Sequence, residues 1–181
     1  MRQSVRRLNM EILLSHQQIA EAVSRMGQQI SRDFAGQSVV LIGVLKGAVF
    51  FLSDLARQIE LDATFDFIAV RSYGTKKETT GEVQLIKDVT TPLRDVNLIL
   101  VEDILDTGLT LTFLKKHFLA HQPRAFRIAA LLDKPSRRAA NIQADYVGFE
   151  IPDKFVIGYG LDYAERYRNL KDICILEDFS G

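Results

Sequence analysis

Residues 97–111 have the sequence NLILVEDILDTGLTL, in which an apolar run gives way to acidic residues and then to small and hydroxyl residues. A short continuous apolar run, such as residues 97–101 here, is typical of a strand buried on both faces of a parallel sheet. The following residues, 110–121, have the composition of a helix. The sequence therefore predicts a strand, a polar turn and a helix in succession.

The same alternation of apolar strands and helices extends in both directions from this stretch. It predicts an α/β fold with a central, mainly parallel twisted sheet flanked by helices. The polar residues 72–82 predict a mobile loop, and residues 83–86 the return strand of a long hairpin. The remaining predicted elements are a helix over 15–34 with Ser15 as its N-cap, strands over 38–44 and 64–71, a helix over 48–57, and strands over 126–132, 146–149, 155–159 and 173–176.

Length and composition narrow the class of protein. The 181 residues fit one domain, 1–181, and 47% apolar with 25% charged residues excludes a disordered chain. The 23 basic and 23 acidic residues give a net charge of zero, which argues against a general nucleic-acid coat. The most apolar region, residues 39–52, is shorter than the roughly 20 residues of a spanning helix, and no signal peptide is evident. We therefore expect a cytoplasmic protein with neither a membrane nor a nucleic acid as partner.

The polar turn is the first candidate site, because ligands of open α/β sheets bind at the carboxyl ends of the strands. Glu102, Asp103 and Asp106 repel one another, so a cation or hydroxyl groups are expected beside them. Small and hydroxyl residues at a helix start allow backbone N–H groups to converge on a phosphate. The alternative is that Asp106 or Thr107 only caps the helix and that the acidic pair is solvated. No Walker motif is present, which disfavours a P-loop enzyme.

Several segments of the chain resemble one enzyme family. Residues 101–111 look like the phosphoribosyl pyrophosphate (PRPP) signature of the type I phosphoribosyltransferases. The rest of the chain, from about residue 12 to 175, is similar to the hypoxanthine(-guanine) branch of that family. The similar segments are the pyrophosphate loop at 45–47, the start of the catalytic lid at 71–74, the purine-binding segments at 132–135 and 147–156, and the C-terminal site at 158–170.

The resemblance implies the type I phosphoribosyltransferase fold, with a small hood formed by the N- and C-terminal segments and a mobile hairpin loop. The implied reaction moves the 5-phosphoribosyl group of PRPP to N9 of hypoxanthine or guanine, giving IMP or GMP and pyrophosphate. Mg²⁺ is the implied cofactor, and a homodimer or homotetramer the implied assembly. In the family the peptide bond equivalent to Leu45–Lys46 can be cis.

The resemblance also implies a role for each matching residue. Asp106 accepts the proton of the purine, and Ser72 and Tyr73 belong to the lid. Glu102, Asp103 and Asp162 are the implied metal-binding residues. The PRPP phosphate and ribose are bound by Glu102, Asp103, Asp106, Thr107, Gly108, Leu109 and Thr110. Pyrophosphate is bound by Lys46, Gly47 and Arg168. The purine is bound by Ile104, Lys134, Lys154, Phe155, Val156 and Asp162.

Two alternatives remain at this point. One is a regulatory RNA-binding relative that keeps the PRPP site, against which the balanced charge argues, because RNA binding requires a basic face. The other is an enzyme that prefers guanine or xanthine, which the sequence does not distinguish. Leu109 departs from relatives that carry lysine at this position, so we expect phosphate binding to depend more fully on backbone amides.

Overall fold

The computed structural model describes residues 10–75 and 78–177, and only the backbone over 72–75 and 78–82. These residues form strands and helices in largely alternating order. The elements are β1 (Met10–Leu14), α1 (His16–Asp33), β2 (Val39–Leu45), α2 (Val49–Ala56), β3 (Ala63–Thr75), β4 (Glu78–Lys87), β5 (Asn97–Leu105), α3 (Leu109–Leu119), β6 (Ala125–Asp133), β7 (Tyr146–Glu150), β8 (Val156–Ile157) and β9 (Ile173–Leu176). A single 3₁₀ turn covers Pro135–Arg137.

Six strands form the main sheet in the order β4-β3-β2-β5-β6-β7. All neighbours run parallel except β3 and β4, which are antiparallel. The register pairs Gly43 with Val101, and Leu105 with Asp133. The carboxyl ends of β2, β5 and β6 therefore meet at one edge of the sheet. The expected fold class, a mainly parallel sheet flanked by helices, is confirmed.

Both faces of the sheet are covered, which explains the continuous apolar runs. In β2, Val39 and Leu41 pack in the core under α1 and α2, whereas Val40 and Ile42 pack in a second core under α3. Helix α1 begins where predicted, because Ser15 forms a capping box with Gln18. Within the described part of the chain, no helix is long and apolar enough to cross a membrane.

A second, smaller sheet joins the two ends of the described chain. Its three strands have the order β1-β9-β8, all antiparallel, and we call it the hood sheet. The sequence did not predict β1, since Met10 and Ile12 remain 44% and 58% exposed and its partner lies some 160 residues away in β9. His16 also bonds Asp172 through its main-chain N–H, at 2.7 Å, which ties α1 to the start of β9.

Two sequence predictions about strand ends are wrong. The polar residues 72–82 were expected to be a loop, but β3 continues to Thr75 and β4 begins at Glu78, paired with it. The sequence of these residues is polar and lacks the apolar run or alternation by which a strand is predicted. Strand β5 was expected to end at Val101, but its ladder with β6 continues to Leu105. The acidic pair of residues 102 and 103 therefore lies inside the strand. Lys76 and Lys77, and the side chains of Ser72 and Tyr73 assigned to the lid, lie outside what the structure describes.

Candidate active site

The turn between β5 and α3 has the features of an anion site. We call residues 106–110 the phosphate loop. Gly108, the N-cap of α3, has a left-handed φ of +82° and, unlike Ser15 at α1, provides no side-chain cap. The hydroxyl of Thr107 accepts a long hydrogen bond of 3.4 Å from the Leu109 amide, and the amides at the start of a helix attract anions. All residues of the loop except Leu109 line a cavity of about 210 Å³, together with Glu102, Ile104, Leu105 and Leu111.

Half-buried Glu102 and buried Asp103 form a carboxyl pair beside this cavity. Burial raises the pKa of Glu102 well above its usual value, and the negative charge of Asp103 raises it further. Burial also raises the pKa of Asp103, although hydrogen bonds from Glu102 and from backbone amides, and the charge of Arg168, oppose that effect. The Oε2 atom of Glu102 is buried without a hydrogen-bond partner. Such a group is costly unless a ligand engages it.

The predicted pyrophosphate loop packs directly against this pair. A Cβ atom on Gly47 would lie 1.8 Å from Oδ2 of Asp103, so no larger residue fits there. Gly160, with φ +102°, approaches from the other side, and a Cβ on it would lie 1.9 Å from the carbonyl oxygen of Gly47. The Leu45–Lys46 peptide bond is cis. The structure therefore brings residues 46–47, 103 and 160 together.

A charged cluster extends from this contact. Glu165 links the two predicted pyrophosphate cations, at 2.6 Å from Lys46 Nζ and 3.2 Å from an Nη of Arg168. Arg168 also contacts Asp162 at 2.7 Å and the Gly160 carbonyl at 2.8 Å, while its Nε is buried without a partner. Lys46 and Arg168 thus share one anionic partner in the structure.

Three of the six predicted purine residues, Lys134, Lys154 and Phe155, line a larger cavity of about 720 Å³, together with residues of the hood sheet. Lys134 is 6% exposed, and its Nζ donates to the Lys154 carbonyl at 2.6 Å. Phe155 lies in the cavity wall and contacts Tyr163 edge to face. Val156 is buried in β8, and Ile104 lines the smaller cavity instead. The complete lining is Glu11, Asp106, Lys134, Arg137, Asp153, Lys154, Phe155, Ile175, Leu176 and Glu177.

Asp106 lines both cavities, so it stands where they meet. Its Oδ1 accepts a hydrogen bond of 3.3 Å from Nε of Arg137, which also approaches Asp153 at 3.8 Å. Both side chains of the Arg137–Asp106 pair remain partly open to solvent. This carboxylate can therefore reach a molecule bound in either cavity.

The predicted metal residues are only partly brought together. Within residues 10–75 and 78–177, no group of three or more His, Cys, Asp or Glu side chains could hold a metal ion. Asp162 uses Oδ1 for Arg168 and Oδ2 for the amide of Glu165. Glu102 and Asp103 remain a suitable pair, since Oε2 of Glu102 has no partner. Mg²⁺ needs no more, because it is commonly held by one or two carboxylates plus substrate phosphates and water.

Sequence reasoning missed several residues in or beside the site, among them Arg137, Arg138, Glu165 and Glu11. One signal could have found the arginines, since they follow Lys134 directly after β6, at the edge where ligands bind. Glu165 lies in the turn at 163–167, where several residues have positive φ. Nothing in the local sequence pointed to Glu11, whose position depends on the pairing of β1 with β9.

Comparison with known proteins shows the family to which the chain belongs. Residues 9–164 match the model of the phosphoribosyl transferase domain family. The curated hypoxanthine-guanine phosphoribosyltransferase of Bacillus subtilis (strain 168) is 44% identical over 167 residues, which cover 92% of this chain and 93% of that protein.

Solved structures extend the agreement to three dimensions. A hypoxanthine-guanine phosphoribosyltransferase from Bacillus anthracis, with HEPES in its active site, has a TM-score of 0.88 at 50% identity, covering 93% of this chain and 98% of the other. A hypoxanthine phosphoribosyltransferase from Staphylococcus aureus has a TM-score of 0.90 at 42% identity, covering 98% and 97%.

The parallel α/β sheet, with a glycine-started helix next to a strand that carries two acidic residues, fits a phosphoribosyltransferase, and the match over residues 9–164 shows that the chain belongs to the phosphoribosyl transferase domain family. Within that family it is similar to the hypoxanthine-guanine phosphoribosyltransferases. The expected fold family and enzyme class, a transferase, are confirmed.

Proposed function

We propose that this protein is a purine salvage enzyme that transfers the 5-phosphoribosyl group of PRPP to N9 of hypoxanthine, and of guanine, releasing pyrophosphate. The observation that supports this most directly is the position of Asp106 between two cavities. One cavity has the free amides of Thr107 and Gly108 at a helix start, which suit a phosphate, and the other has an aromatic side chain and a buried lysine, which suit an oxopurine. The two halves of a purine nucleotide fit this pair of cavities.

In the proposed reaction, purine N9 forms a bond with C1 of PRPP as the bond from C1 to the pyrophosphate oxygen breaks. The leaving group takes the electron pair, and the base loses a proton. Asp106 is the acceptor for that proton, because it lines the cavities of both substrates. Positioned acid–base catalysis of this kind typically contributes about 10²–10⁴-fold.

The phosphates are assigned to two sets of groups near the acidic pair. The amides of Thr107, Gly108, Leu109 and Thr110 receive the 5′-phosphate, helped by the threonine hydroxyl groups. Lys46 and Arg168 receive the departing pyrophosphate, and to do so they release Glu165. Gly47 allows the loop to approach Asp103 closely.

Purine selection is assigned to the larger cavity. The ammonium group of Lys134 donates to the 6-oxo oxygen, a position where adenine carries a 6-amino donor instead. Phe155 contacts the ring face, with Ile104 approaching from the smaller cavity, and the backbone of Lys154 and Val156 meets the pyrimidine edge.

The proposed cofactor is Mg²⁺, which neutralises the charge that develops on pyrophosphate. Glu102 and Asp103 suit it as ligands, or as partners of the ribose hydroxyl groups, because their buried oxygens include one without a partner. Both oxygens of Asp162 already have partners, Arg168 and the Glu165 amide, so a metal ion would have to share one of them. We also propose a cytoplasmic location and a homodimer or homotetramer, and small molecules as the only substrates.

A steady-state assay tests the function. It combines PRPP and Mg²⁺ with hypoxanthine, guanine, xanthine or adenine, and includes a chelator control. We expect turnover with hypoxanthine and guanine, none with adenine, and loss of activity on chelation. Absence of turnover with every 6-oxopurine would overturn the proposal, and a preference for xanthine would correct its substrate.

A further inference from the structure

We propose that Arg138 is a positioning residue that holds the phosphate loop in its anion-binding conformation. This inference rests on the function proposed above. The Arg138 side chain is 17% exposed and does not line either cavity of the active site. It acts from behind the loop, between the ends of β5 and β6.

The contacts of Arg138 join three points of the chain. Nη1 donates to the carbonyl oxygen of Leu105 at 3.1 Å and also to that of Asp106. Nη2 pairs with Oδ1 of Asp133, the last residue of β6, whose side chain is 19% exposed. A planar guanidinium suits this arrangement, because the N–H bonds of its two Nη atoms point in fixed directions.

The neighbouring backbone strengthens the same attachment. Lys134 N–H donates to the Leu105 carbonyl at 3.0 Å. The amides of Ala139 and Ala140 donate to the Thr107 carbonyl at 2.9 and 3.1 Å. The carbonyls of three successive residues, 105–107, are therefore all bound to the segment 134–140.

This attachment determines where the amides of the loop point. In a trans peptide, the carbonyl of one residue and the N–H of the next point in opposite directions. With the carbonyls of 105–107 directed at segment 134–140, the N–H groups of 106–108 are directed away from it. Within the described chain, the amides of Thr107 and Gly108 donate to no other group. They are left free for an anion.

The close contact at Gly108 and the pairing of Arg138 with Asp133 support the same role. A Cβ on Gly108 would lie 2.6 Å from Cγ2 of Ile142 and 3.3 Å from Cδ of Arg138, so the segment and the loop are already in close contact. Asp133 offsets the positive charge of Arg138, which lets a guanidinium stay in this poorly solvated position. Loss of Arg138 would leave the Asp106 carbonyl without its donor, leave the Leu105 carbonyl to the Lys134 amide alone, and leave the Asp133 carboxylate without its cation.

The test compares Arg138→Ala and Arg138→Lys with Arg127→Ala. Arg127 is a matched control, since it also lies by β6, pairs with an aspartate, Asp145, and donates to a main-chain carbonyl. We expect Arg138→Ala to lower kcat/KM for PRPP by on the order of 10²-fold, the cost of misplacing a binding group by about 1 Å. The dissociation constant of a purine nucleoside 5′-monophosphate should rise in parallel, while Arg127→Ala changes neither quantity.

Chemical rescue separates positioning from mere stability. Methylguanidinium at millimolar concentration should restore turnover to Arg138→Ala, and methylammonium, of equal charge, should not. Arg138→Lys should resemble the alanine variant, because one nitrogen cannot replace two. If Arg138→Ala does not fold, Arg138→Lys and Asp133→Asn are compared with Arg127→Ala instead. Asp133→Asn removes the carboxylate that pairs with Arg138. The proposal would be overturned if the Arg138 variants were as active as Arg127→Ala. It would also be overturned if they folded and lost activity that methylguanidinium did not selectively restore. An inactive wild-type enzyme would instead overturn the proposed function.

Discussion

The ammonium group of Lys134 donates a hydrogen bond of 2.6 Å to the carbonyl oxygen of Lys154. The side chain of Lys134 is only 8% exposed. A buried lysine needs acceptors, and here the backbone supplies one while Asp153 lies 4.0 Å away. The ammonium is thereby held at the wall of the larger cavity before any purine binds. Its position sets the first prediction.

Lys134→Ala should weaken discrimination between hypoxanthine and adenine. Removing a charge-assisted hydrogen bond of about 1.5–3 kcal/mol corresponds to roughly 10–150-fold in kcat/KM for hypoxanthine. The measurement is the ratio of kcat/KM for the two bases. Lys115→Ala, an exposed lysine on α3, is the control. Unchanged discrimination would remove Lys134 from purine recognition.

Asp106→Asn should lower kcat by about 10²–10⁴-fold while PRPP still binds, because asparagine keeps the shape but accepts no proton. Turnover at saturating substrate and PRPP binding by calorimetry separate the two effects. Asp88→Asn, which alters a carboxylate beside His117, should leave both unchanged. Full activity of the Asp106 variant would exclude it as the proton acceptor.

Gly47→Ala should abolish turnover, because the new methyl group would overlap the Asp103 carboxylate. Overpacking of this kind costs about 1–3 kcal/mol and would displace the loop or the acidic pair. Gly36→Ala is the control for an added methyl group that meets no neighbour, since no atom lies within 4 Å of the place that its Cβ would occupy; its positive φ of 74° costs some stability but leaves the site untouched. Calorimetric unfolding and pyrophosphate binding are measured for both. A fully active Gly47→Ala enzyme would contradict the close approach.

The sequence predicted the elements of the core more completely than the contacts of the site. The strands β2, β5 and β6 were predicted because both of their faces are buried, which leaves a continuous apolar run. The phosphate loop was predicted because its residues are contiguous. β1 was missed because its exposed residues depend on a distant partner. Local composition carries no information on such pairings.

The contacts of the charged residues could not be predicted from the sequence either. The identities of Lys46 and Arg168 follow from resemblance, but their common contact with Glu165 depends on a turn of positive-φ residues. The contact of Arg138 with the carbonyls of Leu105 and Asp106 likewise requires β5 and β6 to end at the same edge. Tertiary geometry, and not residue type, assigns these side chains to the site.

Glu165→Gln should strengthen pyrophosphate binding, because the carboxylate of Glu165 now competes for Lys46 and Arg168. Exposed ion pairs are weak, so we expect a gain of only about two- to fivefold in the inhibition constant of pyrophosphate. The gain should shrink as salt is added. Glu150→Gln, at an exposed position in β7, is the control. Weaker pyrophosphate binding would mean that Glu165 assists the anion and does not compete with it.

Asp66→Asn should destabilise the fold in a pH-dependent manner. Burial alone would raise the pKa of Asp66, but hydrogen bonds from the amides of Phe67, Thr90 and Thr91, with Lys87 nearby, outweigh it and lower the pKa. A lowered folded-state pKa means that the ionised carboxylate stabilises the protein above its unfolded pKa of about 4, and that this contribution is lost as the pH falls below it.

At pH 7 we therefore expect Asp66→Asn to lower the free energy of unfolding by about 2 kcal/mol, since asparagine presents one acceptor and a repelling NH₂ group to donors. The difference from the wild type should shrink steadily below pH 4. Urea unfolding between pH 3 and 7 measures it, with Asp62→Asn, at an exposed aspartate nearby in the sequence, as the control. A difference that stays constant with pH would show that the hydrogen bonds do not depend on the ionised carboxylate, because protonation would then leave the stability of the wild type unchanged.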